Sequence, residues 1–134
     1  MHLSSFEDLY CLIFGYLNKI YTKLFMEENM SIIFDGIEFS EPVKLTEWIS
    51  PYRPGIFVVF ISVEGETKLN LKPVYFGEAE NISDSEFFIH HGEFKNWLQF
   101  AKSYENIFIA SYLMHSSSQN HRYKLVQKLS HQNI

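Results

Sequence analysis

Acidic side chains stop well short of the end of this chain. After Glu105 there is no Asp or Glu, and apart from histidines the only charges that follow are Arg122, Lys124 and Lys128. A C-terminal segment of that kind cannot supply a carboxylate ligand to a hard metal ion in any register. Cysteine is nearly as scarce. Cys11 stands alone, which excludes a disulfide within these residues and a Cys-x-x-Cys zinc site, and it fits a reducing, cytoplasmic compartment. Four prolines and six glycines in 134 residues are too few for a low-complexity or disordered chain. No apolar run reaches the ~20 residues that span a bilayer. The stretch CLIFGYL follows Glu7 and Asp8 and lacks the basic start and small-residue cleavage site of a signal peptide. Neither a membrane span nor export is expected.

What is present is a core. Hydrophobic content of 46%, with 17% aromatic, at this length predicts one globular domain with at most one appendage. Sixteen acids against eleven bases leave a formal charge of −5. That balance opposes non-specific attraction to a phosphate backbone unless the bases are segregated.

Residues 4–25 place Phe6, Leu9, Ile13, Leu17, Ile20 and Leu24 at steps of three and four, with Ser4 and Glu7 spaced as a capping box. This predicts an amphipathic helix within an N-terminal extension, residues 1–30, that buries against the domain or against a second copy in a homodimer. The domain proper, 31–134, opens with SIIFDGIEF, in which Asp35-Gly36 signals a two-residue hairpin turn. Pro51 and Pro54 bracket an extended connector. GIFVVFISV, 55–63, has the near-continuous β-branched and aromatic pattern of a strand buried on both faces.

Beyond a turn at Glu64-Gly65, TKLNLK alternates as an edge strand does, and PVYF reads as a further short strand beginning at Pro73. Residues 93–103 put Phe94, Trp97, Leu98 and Ala101 on one helical face, NIFIASYLM is a strand, and a serine-capped helix striped by Leu125, Val126 and Leu129 closes the chain. The order predicts a small α/β or α+β domain with a mainly antiparallel sheet of three or more strands flanked by helices.

Pro54-Gly55-Ile56-Phe57, then Val74-Tyr75-Phe76-Gly77-Glu78, then Asn81, His90-His91, Trp97, the IFIASYLM strand and Arg122 on a helix follow one another in an order that resembles the GIY-YIG nuclease superfamily over about residues 51–130. The resemblance implies three antiparallel strands flanked by helices. It also implies a site in which two tyrosines, an arginine, a histidine or further tyrosine and a glutamate holding one divalent metal cleave a phosphodiester. Such a reaction needs a base for the attacking water, a cation for the charge growing on phosphorus and a hard metal for the leaving oxygen.

Carried onto this chain, the first motif's tyrosine falls on Phe57. Tyr75 and Gly77 match the second motif around Phe76. The arginine's place falls on Ser85, and His90 or His91 fits the histidine. The glutamate expected one helical turn after Arg122 falls on Val126, followed by Gln127. Three gaps, each the kind that alone costs orders of magnitude in rate, imply a catalytically inactive domain.

The resulting expectation is a regulator, inhibitor or scaffold that binds another macromolecule, most simply a protein, with no cofactor. Tyr75, His90, His91 and Arg122 are the remnant site candidates, and Gly55, Phe57, Gly77, Lys124 and Lys128 the binding candidates. The alternative is an active or nucleic-acid-binding relative with a rewired site, which would need Mg²⁺ or Mn²⁺. Tyr75 could equally be a strand aromatic packing at a sheet edge. The acids around His90-His91 read as a solvated loop, and adjacent histidines point in different directions. His121, Lys124, Lys128 and His131 share one helical face, read as solvated before phosphate-binding. Trp48 and Tyr52 read as core cover before a partner patch.

Overall fold

The computed structural model describes residues 30–63 and 70–134. The chain divides into two compact units at the Met30/Ser31 boundary, and the second is an α+β domain. The amphipathic stretch at 4–25 and the Glu64-Gly65 turn lie outside the described residues.

The domain opens with a hairpin of β1 (Ile32–Phe34) and β2 (Ile37–Phe39), in which Phe34 faces Ile37 across the turn. Asp35 and Gly36 both take positive φ, 51° and 81°, which is what a tight turn between twisted strands demands of an Asp-Gly pair. The main sheet comprises β3 (Val43–Lys44), β4 (Arg53–Ser62), β5 (Leu71–Ile82) and β6 (Ile107–Leu113) in the order β3-β6-β4-β5, antiparallel throughout. Between β5 and β6 lie α1 (Ser85–Ile89) and α2 (Phe94–Ala101), and α3 (Gln119–Asn133) closes the domain. Among the described residues no helix is long and apolar enough to cross a membrane.

The expected central strand is β4. Side chains alternate across a strand, so Phe57, Val59 and Ile61 enter one core with Phe88 of α1 and Trp97 and Ala101 of α2. Ile56, Val58 and Phe60 enter a second core with Phe39, Phe76, Phe108 and Leu129 of α3. The sheet therefore has an α1/α2 face and an α3 face, each with its own apolar layer.

Two local expectations change. Pro73 does not begin a new strand, because β5 runs unbroken through it: Phe60 faces Pro73 while Val59 faces Tyr75. Val74 is thus the extra residue of a bulge. β5 is an edge of the sheet, so a missing proline N–H costs no ladder bond there. Nor are residues 78–93 one solvated loop. Glu78–Ile82 continue β5, and Asp84 then caps α1 by accepting from Glu86 N–H at 3.1 Å.

The other helices end as their sequences suggest. Lys102 closes α2 in a left-handed conformation, φ 69°, and donates its N–H to Leu98 C=O. Ser118 caps α3, its Oγ accepting from His121 N–H at 3.1 Å.

Candidate functional site

β5 carries Tyr75 and Gly77 opposite Val59 and Phe57, so both face α1 and α2. Phe57 is fully buried, and the tip of its ring packs against Gly77. A Cβ at that glycine would run into the Phe57 ring and stand only 2.8 Å from Cε1 of Tyr75. The second motif's glycine is thus required by the side chain in the first motif's tyrosine place. A tyrosine there would set its hydroxyl against Gly77 within a buried aromatic layer, in which Phe57 also meets Phe87 and Phe88 edge-on at 5.8 and 5.1 Å.

Tyr75 sits half-buried at the margin of that layer, its ring 5.2 Å from His91, 5.2 Å from Trp97 and 6.1 Å from Phe57. His91 stacks on Trp97 at 5.0 Å, and its Nδ1 accepts the N–H of Glu93 at 3.0 Å. The neutral ring must then carry its proton on Nε2. Burial pushes the His91 imidazole below its ordinary pKa, with the Glu93 carboxylate pulling the other way. Burial, then Glu93 and then Glu78 push the Tyr75 hydroxyl up.

At neutral pH the pair is a protonated phenol and a neutral imidazole whose lone pair is already engaged. Neither member of this pair is set to take a proton from water. The Tyr75 hydroxyl has no hydrogen-bond partner among the described residues and remains able to meet a ligand.

The two histidines of the HH pair diverge. His91 enters the aromatic layer, while His90 lies exposed with Nε2 3.0 Å from Glu86.

Arg122 lies elsewhere. Its guanidinium is on the α3 face, only 4% exposed. Nε is 2.9 Å from Glu78 Oε2, and Nη1 donates to the carbonyl and hydroxyl oxygens of Ser117 at 2.8 and 3.0 Å. Glu78 faces Ile56 across the ladder, and so points away from Phe57 and Tyr75. The arginine and the Tyr75–His91 pair are separated by the sheet itself. Arg122 holds α3 and the loop before it to the edge strand, and its charge is fully engaged there.

The binding candidates also sort by position. Gly55 packs against Tyr112 C=O, where a Cβ would collide with backbone, so its role is close approach of β4 and β6. Lys124 and Lys128 are exposed on α3 with His121 and His131. Ser85, at the arginine's place, opens α1. Trp48 covers the core, with its ring 5.5 Å from Phe88 and Nε1 donating to Ser83 C=O at 2.9 Å, whereas Tyr52 is exposed.

Glu78 as the partner of Arg122 was hidden in the sequence, since 44 positions separate them and nothing local marks the pair. The alternation of β5 was the one usable signal, placing Glu78 with Phe76 rather than Tyr75 only once Gly77 is fixed opposite Phe57.

The donor set does not fit the divalent metal that the nuclease resemblance implies. Val126 packs into the α3-face core, and Gln127 is exposed with its amide donating to Tyr123 Oη at 2.9 Å. Among the described residues no three His, Cys, Asp or Glu side chains converge in metal-binding geometry. No protein-family model, curated protein or solved structure matches the chain.

Proposed function

We propose that this domain is a catalytically silent relative of the GIY-YIG nucleases that acts by binding another macromolecule, a protein, as a regulator, inhibitor or scaffold. The observation that carries the reading is the division of the motif residues by the sheet. Tyr75 and His91 pack among aromatic rings on one face, and Arg122 is neutralised by Glu78 on the other. A phosphodiester seated at Tyr75 would have the sheet between it and Arg122.

The carboxylate that acts most on Tyr75 is that of Glu93, which repels phosphate and favours a neutral or cationic surface. The net charge of −5 points the same way.

Incubation of the purified chain with supercoiled and branched DNA in Mg²⁺ or Mn²⁺ tests the first half of this reading, and is expected to leave both substrates intact. Cleavage abolished by Tyr75→Phe would overturn it in favour of a nuclease with a rewired site. Titration of labelled duplex DNA tests the second half. Tight binding at physiological salt, weakening steeply as salt rises, would replace the protein partner by nucleic acid.

A further inference from the structure

Between the one-turn 3₁₀ helix at Leu45–Glu47 and the end of β6 lies an open groove of about 380 Å³ walled by Trp48, Ile49, Pro51 and Leu113. That volume falls within the ~300–1,000 Å³ over which proteins hold small ligands and inserted side chains. Ile49 is 87% exposed, the most exposed large apolar side chain among the described residues, yet its segment is not loose. Trp48 Nε1 donates to Ser83 C=O at 2.9 Å. Ser50 Oγ donates to Ile82 C=O at 2.9 Å and accepts from Tyr52 N–H at 3.0 Å, and Tyr52 N–H also reaches Ile82 C=O at 3.1 Å.

Tyr52 holds a positive φ of 49° in this clamp, a conformation unusual for a bulky residue and retained only where surroundings impose it. The wall is thus pinned in place with an aliphatic side chain presented to solvent, which lowers the ordering cost of binding.

The floor of the groove is an unfinished sheet edge. Ser40 pairs with Ser111, its N–H donating to Ser111 C=O at 2.8 Å and its Oγ accepting from Ser111 N–H at 2.9 Å. The next residue of β6 with the same outward direction is Leu113, because Met114 N–H turns inward to Pro54 C=O at 2.8 Å. The outward N–H and C=O of Leu113 meet no partner among the described residues. The charged side chains lining the groove are two carboxylates, Glu41 and Glu47.

We propose that this groove receives an extended segment of a protein partner. The segment pairs its backbone with Leu113, sets a bulky apolar side chain against Trp48, Ile49 and Pro51, and carries Lys or Arg beside it to meet Glu47. Strand addition supplies the affinity and the pocket the selectivity. The exposed Glu47 carboxylate, with no cationic side chain among the described residues lining the groove, favours a basic peptide over a phosphate backbone, and over a second copy of a chain whose charge is −5. The proposal rests on the protein-binding reading and names a surface for it.

Selection of a phage-displayed library of linear peptides on the full chain, followed by anisotropy titration of the enriched sequences, tests it. Enriched peptides are expected to carry a large apolar residue beside Lys or Arg. They should lose at least tenfold in affinity to Ile49→Asp, an exposed change that leaves the core untouched, and comparably to Glu47→Lys. N-methylation of one backbone amide should cost about five- to tenfold, the worth of one hydrogen bond.

Failure to enrich any such sequence, or binding unchanged in Ile49→Asp, overturns the groove. Competition by duplex DNA, or self-association lost on Ile49→Asp, overturns it in favour of those occupants. Peptides that bind elsewhere on the chain remove the groove and leave the protein-binding reading standing, whereas tight DNA binding with no peptide binding removes both.

Discussion

The two faces of the sheet spend similar apolar layers on opposite tasks. On the α3 face a charged pair is sealed: Arg122 and Glu78 are 4% and 18% exposed at the side chain, and each finds its partner within the fold. On the α1/α2 face Tyr75 and His91 stand half-open at the rim of an aromatic layer. One face has used its polar groups to hold a helix on the sheet. The other has kept polar atoms where a partner could touch them. Residues that resemble a single motif in the sequence therefore answer to different demands in space.

The largest effect expected from breaking this contrast is on the sealed face. Arg122→Ala leaves Glu78 without its cation, and should cost about 3–5 kcal/mol in urea unfolding, while replacement of both residues by methionine should cost much less. A double variant as unstable as Arg122→Ala would show that the ion pair contributes more than the avoidance of a lone buried charge.

Next in size are changes under the aromatic layer. Gly77→Ala should cost roughly 1–3 kcal/mol through overpacking against Phe57. Phe57→Tyr, which restores the motif's hydroxyl, should cost about the same by burying it unpartnered, and should confer no cleavage of DNA. A stable Phe57→Tyr variant would mean that this layer opens more readily than its burial implies.

The pH response of His91 is smaller. Its pKa is lower in the folded chain than in the unfolded one, so the folded state binds the proton less readily. The resulting stability is present above the unfolded value near 6.5 and is lost as pH falls through that value toward the folded one. The melting temperature should drop from pH 7 to pH 5 more in the native chain than in His91→Gln, and parallel pH profiles would contradict the assignment. Smallest of all should be Tyr75→Phe, within about 0.5 kcal/mol by denaturant titration, because the lost hydroxyl has no partner among the described residues.

Local signals were the legible ones. Asp35-Gly36 demands its turn whatever surrounds it, the apolar run at 55–63 is long enough to require a buried strand, and the stripe of Phe94, Trp97 and Ala101 fixes the buried side of α2. Elements whose existence depends on distant neighbours were not. β3 is two residues long and is a strand only because Ile109 and Phe108 lie beside it. The continuity of β5 through Pro73 needs the knowledge that β5 is an edge. Five-residue α1 is too short for periodicity to register.

The candidate site was legible as a set of residues and not as an arrangement. Tyr75, His91 and Phe57 do meet. Arg122 does not join them, because helix spacing carries no information about which side of a sheet the helix will cover.

The sheet order β3-β6-β4-β5 also sets a timetable. While the chain emerges from the ribosome, β4 and β5 can pair as soon as Ile82 is free. β3 must wait for residues made more than sixty positions later, and until then its neighbours Trp48 and Ile49 lack the wall that Leu113 will supply. The aromatic rim can therefore take shape before β6 is made, whereas the groove needs β6 and the Arg122 latch needs α3. A partner that recognises the groove would in effect be inspecting whether β6 has docked beside β4 and β3.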